Sequence, residues 1–348
     1  MLTDIFAHRY ADRPIWPEGV RESDRVFLVQ GYRMISEQLF PTVSGKLEGP
    51  SLIGWADVQS RLSMELGLES LGPLGWNFID NQGKHQWGTY TLDFVCKTWI
   101  QAPKRPEQPV DAYMKERLSL IELAFRKRGE QVVSANSSHG TYVASTKRTI
   151  KEVKPLAASF QILLATATDT NIAMNRLFEA TCEELNERFK RAKLPLSYHN
   201  GFIQIVSDPM TEEKISKPFW ELIANSKWKN VEIDMMEAID RRESAQRDPA
   251  FYAAKALESV IKIISKDKGW TRGNERGASQ FIDNLQSVKS GAFITDWEAD
   301  CLRLIFGKVR NELGHGPGGE PMPELTLEQT DWVIEAAMSW TKSLIERM

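Results

Sequence analysis

Apolar positions along the chain recur mostly at helical spacing. In residues 21–40, RESDRVFLVQGYRMISEQLF, Val26, Phe27, Val29, Met34, Ile35 and Leu39 form a roughly helical stripe. A second helix is expected over 57–71 and a buried one over 91–101. Between them, LGPLGWNFIDNQGKHQW is rich in glycine, tryptophan and asparagine and reads as a loop. Three prolines in 102–111 mark another loop. It leads into a helix over about 111–129, which ends in RKRG, with basic residues in the last turn and glycine as the stop. The Ser/Thr-rich stretch 131–150 reads as an irregular connection or a short strand pair. A long helix follows over 168–192, its tail CEELNERFKRA carrying alternating charges on a solvated face. In LPLSYHNGFIQIV, Asn200-Gly201 lies between two β-prone runs and predicts a hairpin at 195–206.

From about Trp228 the pattern is all helix. Residues 230–247 are amphipathic and charged. Asp248-Pro249 predicts a new helix, with Asp as N-cap and Pro at the first helical position. Ala253, Leu257, Val260, Ile261 and Ile264 share one face of it. Further helices are expected over 277–289, over 295–313 with Thr295 or Asp296 as cap, and over 326–348. In the last, Thr326 and Gln329 form a capping-box pattern. Four helices with short connections make a compact bundle. The expected fold class is therefore mostly α. A helical domain with a small β-hairpin covers 1–228, and a four- or five-helix bundle covers 229–348.

Composition narrows the function. At 42% apolar and 26% charged residues, the 348-residue chain has the make-up of a globular protein with room for two cores. A net charge of -3 excludes a strongly basic coat for nucleic acid, so any such site is a local patch. Cys96, Cys182 and Cys301 are odd in number and far apart, and read as buried thiols in a reducing compartment. The first residues lack the basic and apolar regions of a signal peptide, and no window is apolar enough to span a membrane. A cytoplasmic location, with no membrane partner, is expected. His8, His85, His139 and His199 are scattered without zinc spacing, so neither a metal nor another cofactor is expected. Trp55, Trp76, Trp87 and Trp99 read as core.

The chemistry concentrates in KVRNELGHGPGGEP. Arg310-Asn311-Glu312-Leu313-Gly314-His315 is an R-x4-H motif with a polar residue after the arginine, near the end of a helix. Histidine, with an ordinary pKa of about 6.5, can accept a 2′-hydroxyl proton and return one to a leaving oxygen. Arginine offers a planar, permanently charged fork for phosphate oxygens, and Asn311 could hold the phosphate or orient the histidine. Residues five apart on a straight helix differ by roughly 140° around its axis. Gly314 can end the helix and let His315 turn back, while Gly316 and its neighbours leave room for a backbone phosphate. The bland alternative is that Arg and His merely complement a helix C-terminus. Glu258 could face the motif and tune it, although an exposed helical glutamate is the commoner case. Lys255, Lys262, Lys266, Lys268, Arg272 and Arg276 form a basic run that reads as a solvated face or an RNA track.

This motif, preceded by DPAFYAAKALESVIKII and KGW, resembles the abortive-infection C-terminal branch of the HEPN superfamily over about 230–348. The first 225 residues resemble, more vaguely, the N-terminal regions attached to such domains. The resemblance implies a HEPN-like bundle and a homodimer whose two R-x4-H motifs face one cleft. It also implies a metal-independent endoribonuclease leaving 2′,3′-cyclic phosphate ends. Arg310, Asn311 and His315 would be its catalytic residues, and Lys255, Glu258 and Gly316 would contact substrate. The expected partner is RNA (tRNA, mRNA or rRNA). The N-terminal region would hold the enzyme in check until a phage-derived trigger acts or an antitoxin leaves. The alternative is a non-catalytic RNA- or nucleotide-binding or dimerisation module of a defence complex.

Overall fold

The computed structural model describes residues 5–16, 19–152, 157–199, 201–206, 208–243, 246–311, 313 and 324–348. It divides into two units, Met1–Val206 and Ser207–Met348. The chain is mostly helical, as its pattern predicts. The division falls earlier than position 228 because Phe219, Trp220, Ile223 and Trp228 are buried in the second core.

The helices of the first unit are Phe6–Arg9 (α1), Glu22–Met34 (α2), Gly49–Glu65 (α3), Leu92–Gln101 (α4), Val110–Glu152 (α5) and Ala157–Arg191 (α6). Two antiparallel hairpins join them, Gly75–Ile79 with His85–Thr89 (β1, β2) and Leu196–His199 with Phe202–Ile205 (β3, β4). Aromatic packing fills the core. Trp55 is fully buried, its indole N–H donating to the Phe40 carbonyl at 3.2 Å, and Phe27 stacks on Phe189. Burying such rings contributes roughly 2–3 kcal/mol each.

Polar residues on one face of α5 strap the N-terminal segment down. Lys115 is 2% exposed, so its ammonium must find partners inside. It donates to the carbonyls of Tyr10 and Arg13 and pairs with Asp111. Asp111 in turn accepts from the amides of Ile15 and Trp16. Burial pushes the Asp111 carboxyl up, but Lys115 and these two amides outweigh it and hold it below the ordinary carboxylate range. The Ser119 hydroxyl accepts from Ala7, and Glu122 pairs with Arg9.

The helix expected over 57–71 is α3, Gly49–Glu65, and three further sequence expectations differ here. First, α5 does not stop at Gly129 but runs through 131–150, because α6 lies alongside it. The Phe178 ring would sit 3.3 Å from a Cβ at Gly129. Tertiary pairing overrides the weak helix propensity of the Ser/Asn/Gly stretch. Second, α6 begins at Ala157 rather than near 168. Third, the Gly/Trp/Asn-rich "loop" contains the β1–β2 hairpin. Its glycines accommodate the Trp87 ring against Gly75 and the Trp76 ring against Gly88. Consequently Trp55 and Trp99 are core, whereas Trp76 and Trp87 are exposed.

The helices of the second unit are Pro209–Thr211 (α7), Lys217–Ile223 (α8), Lys229–Glu243 (α9), Pro249–Asp267 (α10), Ala278–Gln286 (α11), Asp296–Ile305 (α12) and Leu327–Glu346 (α13). Alanines 253, 254 and 256 let α10 sit at the centre, packed against α9, α11 and α13. Pro249 occupies its first turn, but Asp248 does not cap it. That residue takes a left-handed conformation (φ 64°) and its side chain makes no cap bond. Thr326 with Gln329 forms the expected capping box, and Thr295, one of the two expected caps, forms a second with Glu298. No helix among the described residues is long and apolar enough to cross a membrane.

Candidate functional site

At its C-terminal end α12 widens into a π-helical segment, Phe306–Asn311. Such turns are rare, and they occur often at functional sites. Phe306 and Val309 anchor the segment in the core, which leaves the adjacent Arg310 one-third exposed. Leu313, beyond it, is helical and buried.

Facing Arg310 is Glu258, from the central helix α10. It is 4% exposed, whereas an exposed glutamate was the commoner expectation. A buried carboxylate is costly unless paired, and this one has two cations. The Arg310 Nε donates to its Oε2 at 3.1 Å, and the Lys262 Nζ lies 2.8 Å from its Oε1. These three side chains carry a net positive charge beside the R-x4-H segment. Among the described residues, two of the five Arg310 donors face protein atoms, the second lying 3.5 Å from the Asn311 Oδ1, too long for a strong bond. Asn311 itself is exposed. The guanidinium is therefore oriented by Glu258 and remains one-third exposed.

The other expected site residues are placed differently. Lys255 pairs with Asp234 of α9 at 2.8 Å and lies over the Tyr252 ring. Among the described residues its contacts are with α9 and its own helix, not with Arg310. His315 and Gly316 lie outside the described residues. The basic run does not form one track: Lys262 is bound to Glu258, and Lys268 donates to the Met348 carbonyl. The role of Lys262 was legible as a Glu–Lys pair four residues apart in the favourable order on a helix. Among the described residues, no three His, Cys, Asp or Glu side chains converge as metal ligands would. His199 is buried beside Ser197, and His139 lies within α5 at 3.4 Å from Thr168, both within structural contacts.

Residues 4–221 match the family model for AbiJ N-terminal domain 4. This is more than half of the chain, and the chain belongs to that family: its N-terminal region is of the abortive-infection type. The match covers the first unit and ends within α8, before the helices that carry Glu258 and Arg310. No curated protein and no solved structure matches the chain.

Proposed function

We propose that the chain is an anti-phage effector of the abortive-infection type, whose second unit is a metal-independent endoribonuclease of the HEPN kind acting in the cytoplasm. The observation that carries this reading is the buried Glu258 carboxylate holding Arg310 at the head of an R-x4-H motif. A surface arginine that merely complemented a helix end would need no such support.

The chemistry follows from the residues. His315 takes the proton of a ribose 2′-hydroxyl, and the freed oxygen attacks the adjacent phosphorus. The P–O5′ bond breaks, and the departing 5′-oxygen takes a proton from an imidazolium. The products are a 2′,3′-cyclic phosphate and a 5′-hydroxyl. Arg310 donates to the phosphate oxygens as charge builds on them, with Asn311 beside it. In a homodimer, a second copy of the motif would supply the second histidine to the same cleft. The N-terminal region would restrain this activity until a phage-derived trigger or the loss of a regulatory protein releases it.

Arg310→Ala tests the reading on labelled RNA. Loss of one charge-stabilising donor costs about 10²–10³ in rate, and cleavage at the wild-type rate would sink the assignment. The net positive, part-exposed Arg310–Lys262 pair also suits a phosphate grip without proton transfer. Salt-sensitive RNA binding with no product would favour that second reading.

A further inference from the structure

The helices α5 and α6 extend beyond the core of the first unit as an arm. Its last core residues are Val132 on α5 and Phe178 on α6. Beyond them the two helices touch along a narrow seam that mixes polar and apolar side chains. Asn136, Asn171 and Asn175 exchange amide hydrogen bonds of 2.8–2.9 Å, and Thr168 meets His139. The outward face of α6 carries several aliphatic side chains among polar ones. Ile162 is 68% exposed and Leu163 55%, with Ile172 and Leu177 also exposed. From Gln131 to Thr146 there is no Asp, Glu, Lys or Arg at all. A surface stripped of charge, with aliphatic side chains outward, has the character of an interface core.

Two charges interrupt the α6 stretch from Ala157 to Leu177, and they are opposite: Asp169 and Arg176. Both are exposed, and neither forms an ion pair among the described residues. Seven residues apart, they project from nearly the same face, about 10 Å apart along the axis. That spacing is self-complementary. If a second α6 lies antiparallel with its two-fold axis between Ile172 and Ala173, each Asp169 meets the Arg176 of the other copy, twice over. The same register sets the aliphatic face around Ala173 against its own image.

The geometry points to a second copy of this chain as the occupant of the arm, joined through antiparallel α6 helices. Around Ala173 the face holds only this opposite pair, which does not suit a nucleic acid, whose phosphates need a basic surface; Lys147 and Arg148 lie further out on α5. A face two helices wide and about 16 residues long covers about 500 Å² per copy, or about 1,000 Å² in all, the lower limit for a specific interface. The association is thus expected to be reversible and concentration-dependent. It is separate from the Arg310 site and stands whether or not the second unit cleaves RNA.

The test is disulfide capture in the full-length chain. Cys301 is exposed, so it is first replaced in a Cys301→Ser background. Ala173→Cys then places a thiol beside the two-fold axis, and Lys46→Cys, on an exposed loop, is the control. Under mild oxidation Ala173→Cys should give a reducible dimer far faster than Lys46→Cys. Adding Asp169→Arg should slow capture by about tenfold or more, because like charges then face each other. The swap Asp169→Arg with Arg176→Asp should restore it. Capture at 173 no faster than at 46, or capture indifferent to the charge reversal, would overturn the proposal, even for a protein that is dimeric through another surface.

Discussion

Glu122→Gln keeps the shape of the side chain and removes its charge where the first unit depends on it most. Glu122 has no exposure, and each of its oxygens accepts two bonds. Oε1 takes Arg9 Nη1 at 3.1 Å and Arg126 Nη2 at 2.7 Å. Oε2 takes Arg9 Nη2 and the Ile203 amide, the latter at 2.7 Å. Whichever way a glutamine amide is turned, its NH2 faces two donors. The Arg9 side chain is only 4% exposed, so its buried charge would face a neutral amide in place of the Glu122 carboxylate. Removing one partner of such a pair costs about 3–5 kcal/mol. The lower end applies, because Arg9 also donates to the Ile203 carbonyl and Arg126 to that of Gly201. About 3 kcal/mol is about two orders of magnitude in an opening equilibrium. Amide hydrogen exchange read over 202–205 and 118–126 should show that loss of protection, while α10 in the other unit stays as in wild type. A loss below about fivefold would mean that water or a shifted partner satisfies the arginines, and the reasoning would fail.

Other outcomes follow from the same structure. Glu258→Gln should contrast with Glu122→Gln: Arg310 and Lys262 both reach solvent, so stability should change by less than about 1 kcal/mol. RNA cleavage should nonetheless fall about a hundredfold as Arg310 loses its orientation, and unchanged cleavage would remove Glu258 from the site. Burial pushes the Cys96 and Cys182 thiols from an ordinary 9.0 up to about 12, with Asp93 reinforcing the first and Glu179 and Glu183 the second. The folded state therefore prefers the protonated thiols. Their stabilisation is intact below pH 9 and is lost as pH rises toward 12. Thermal unfolding of the first unit should move down between pH 8 and 10.5, and at pH 8 Cys301 should be alkylated first; equal labelling of all three would contradict their burial. Gly54→Ala would put a Cβ 2.3 Å from the buried Phe40 ring. A loss of about 1–3 kcal/mol is expected in denaturant unfolding, despite alanine's better helix propensity.

The legible parts of the fold were those fixed by local chemistry. Gly201 turns the second hairpin at φ 97°, the Thr326 capping box opens the last helix, and Thr295 caps α12. What escaped depends on distant partners. Nothing within 131–150 signals helix, and only α6 alongside makes it one. Gly75 and Gly88 read as loop residues until the tryptophan rings that cover them are known. Lys115 and Glu122 look like solvated helix positions, yet they are buried because residues 5–16 fold over them. At the site, the R-x4-H spacing was visible, but the burial of Glu258 was not, because it depends on α10 lying at the centre of its unit.

Arg310 and His315 are proposed to belong to a metal-independent ribonuclease. The most direct measurement incubates full-length wild-type and His315→Ala proteins with total bacterial RNA in EDTA, resolves the products on a denaturing gel and assigns their end groups. The account predicts discrete fragments with 2′,3′-cyclic phosphate and 5′-hydroxyl ends from wild type and none from His315→Ala. Equal fragmentation by both proteins would contradict it.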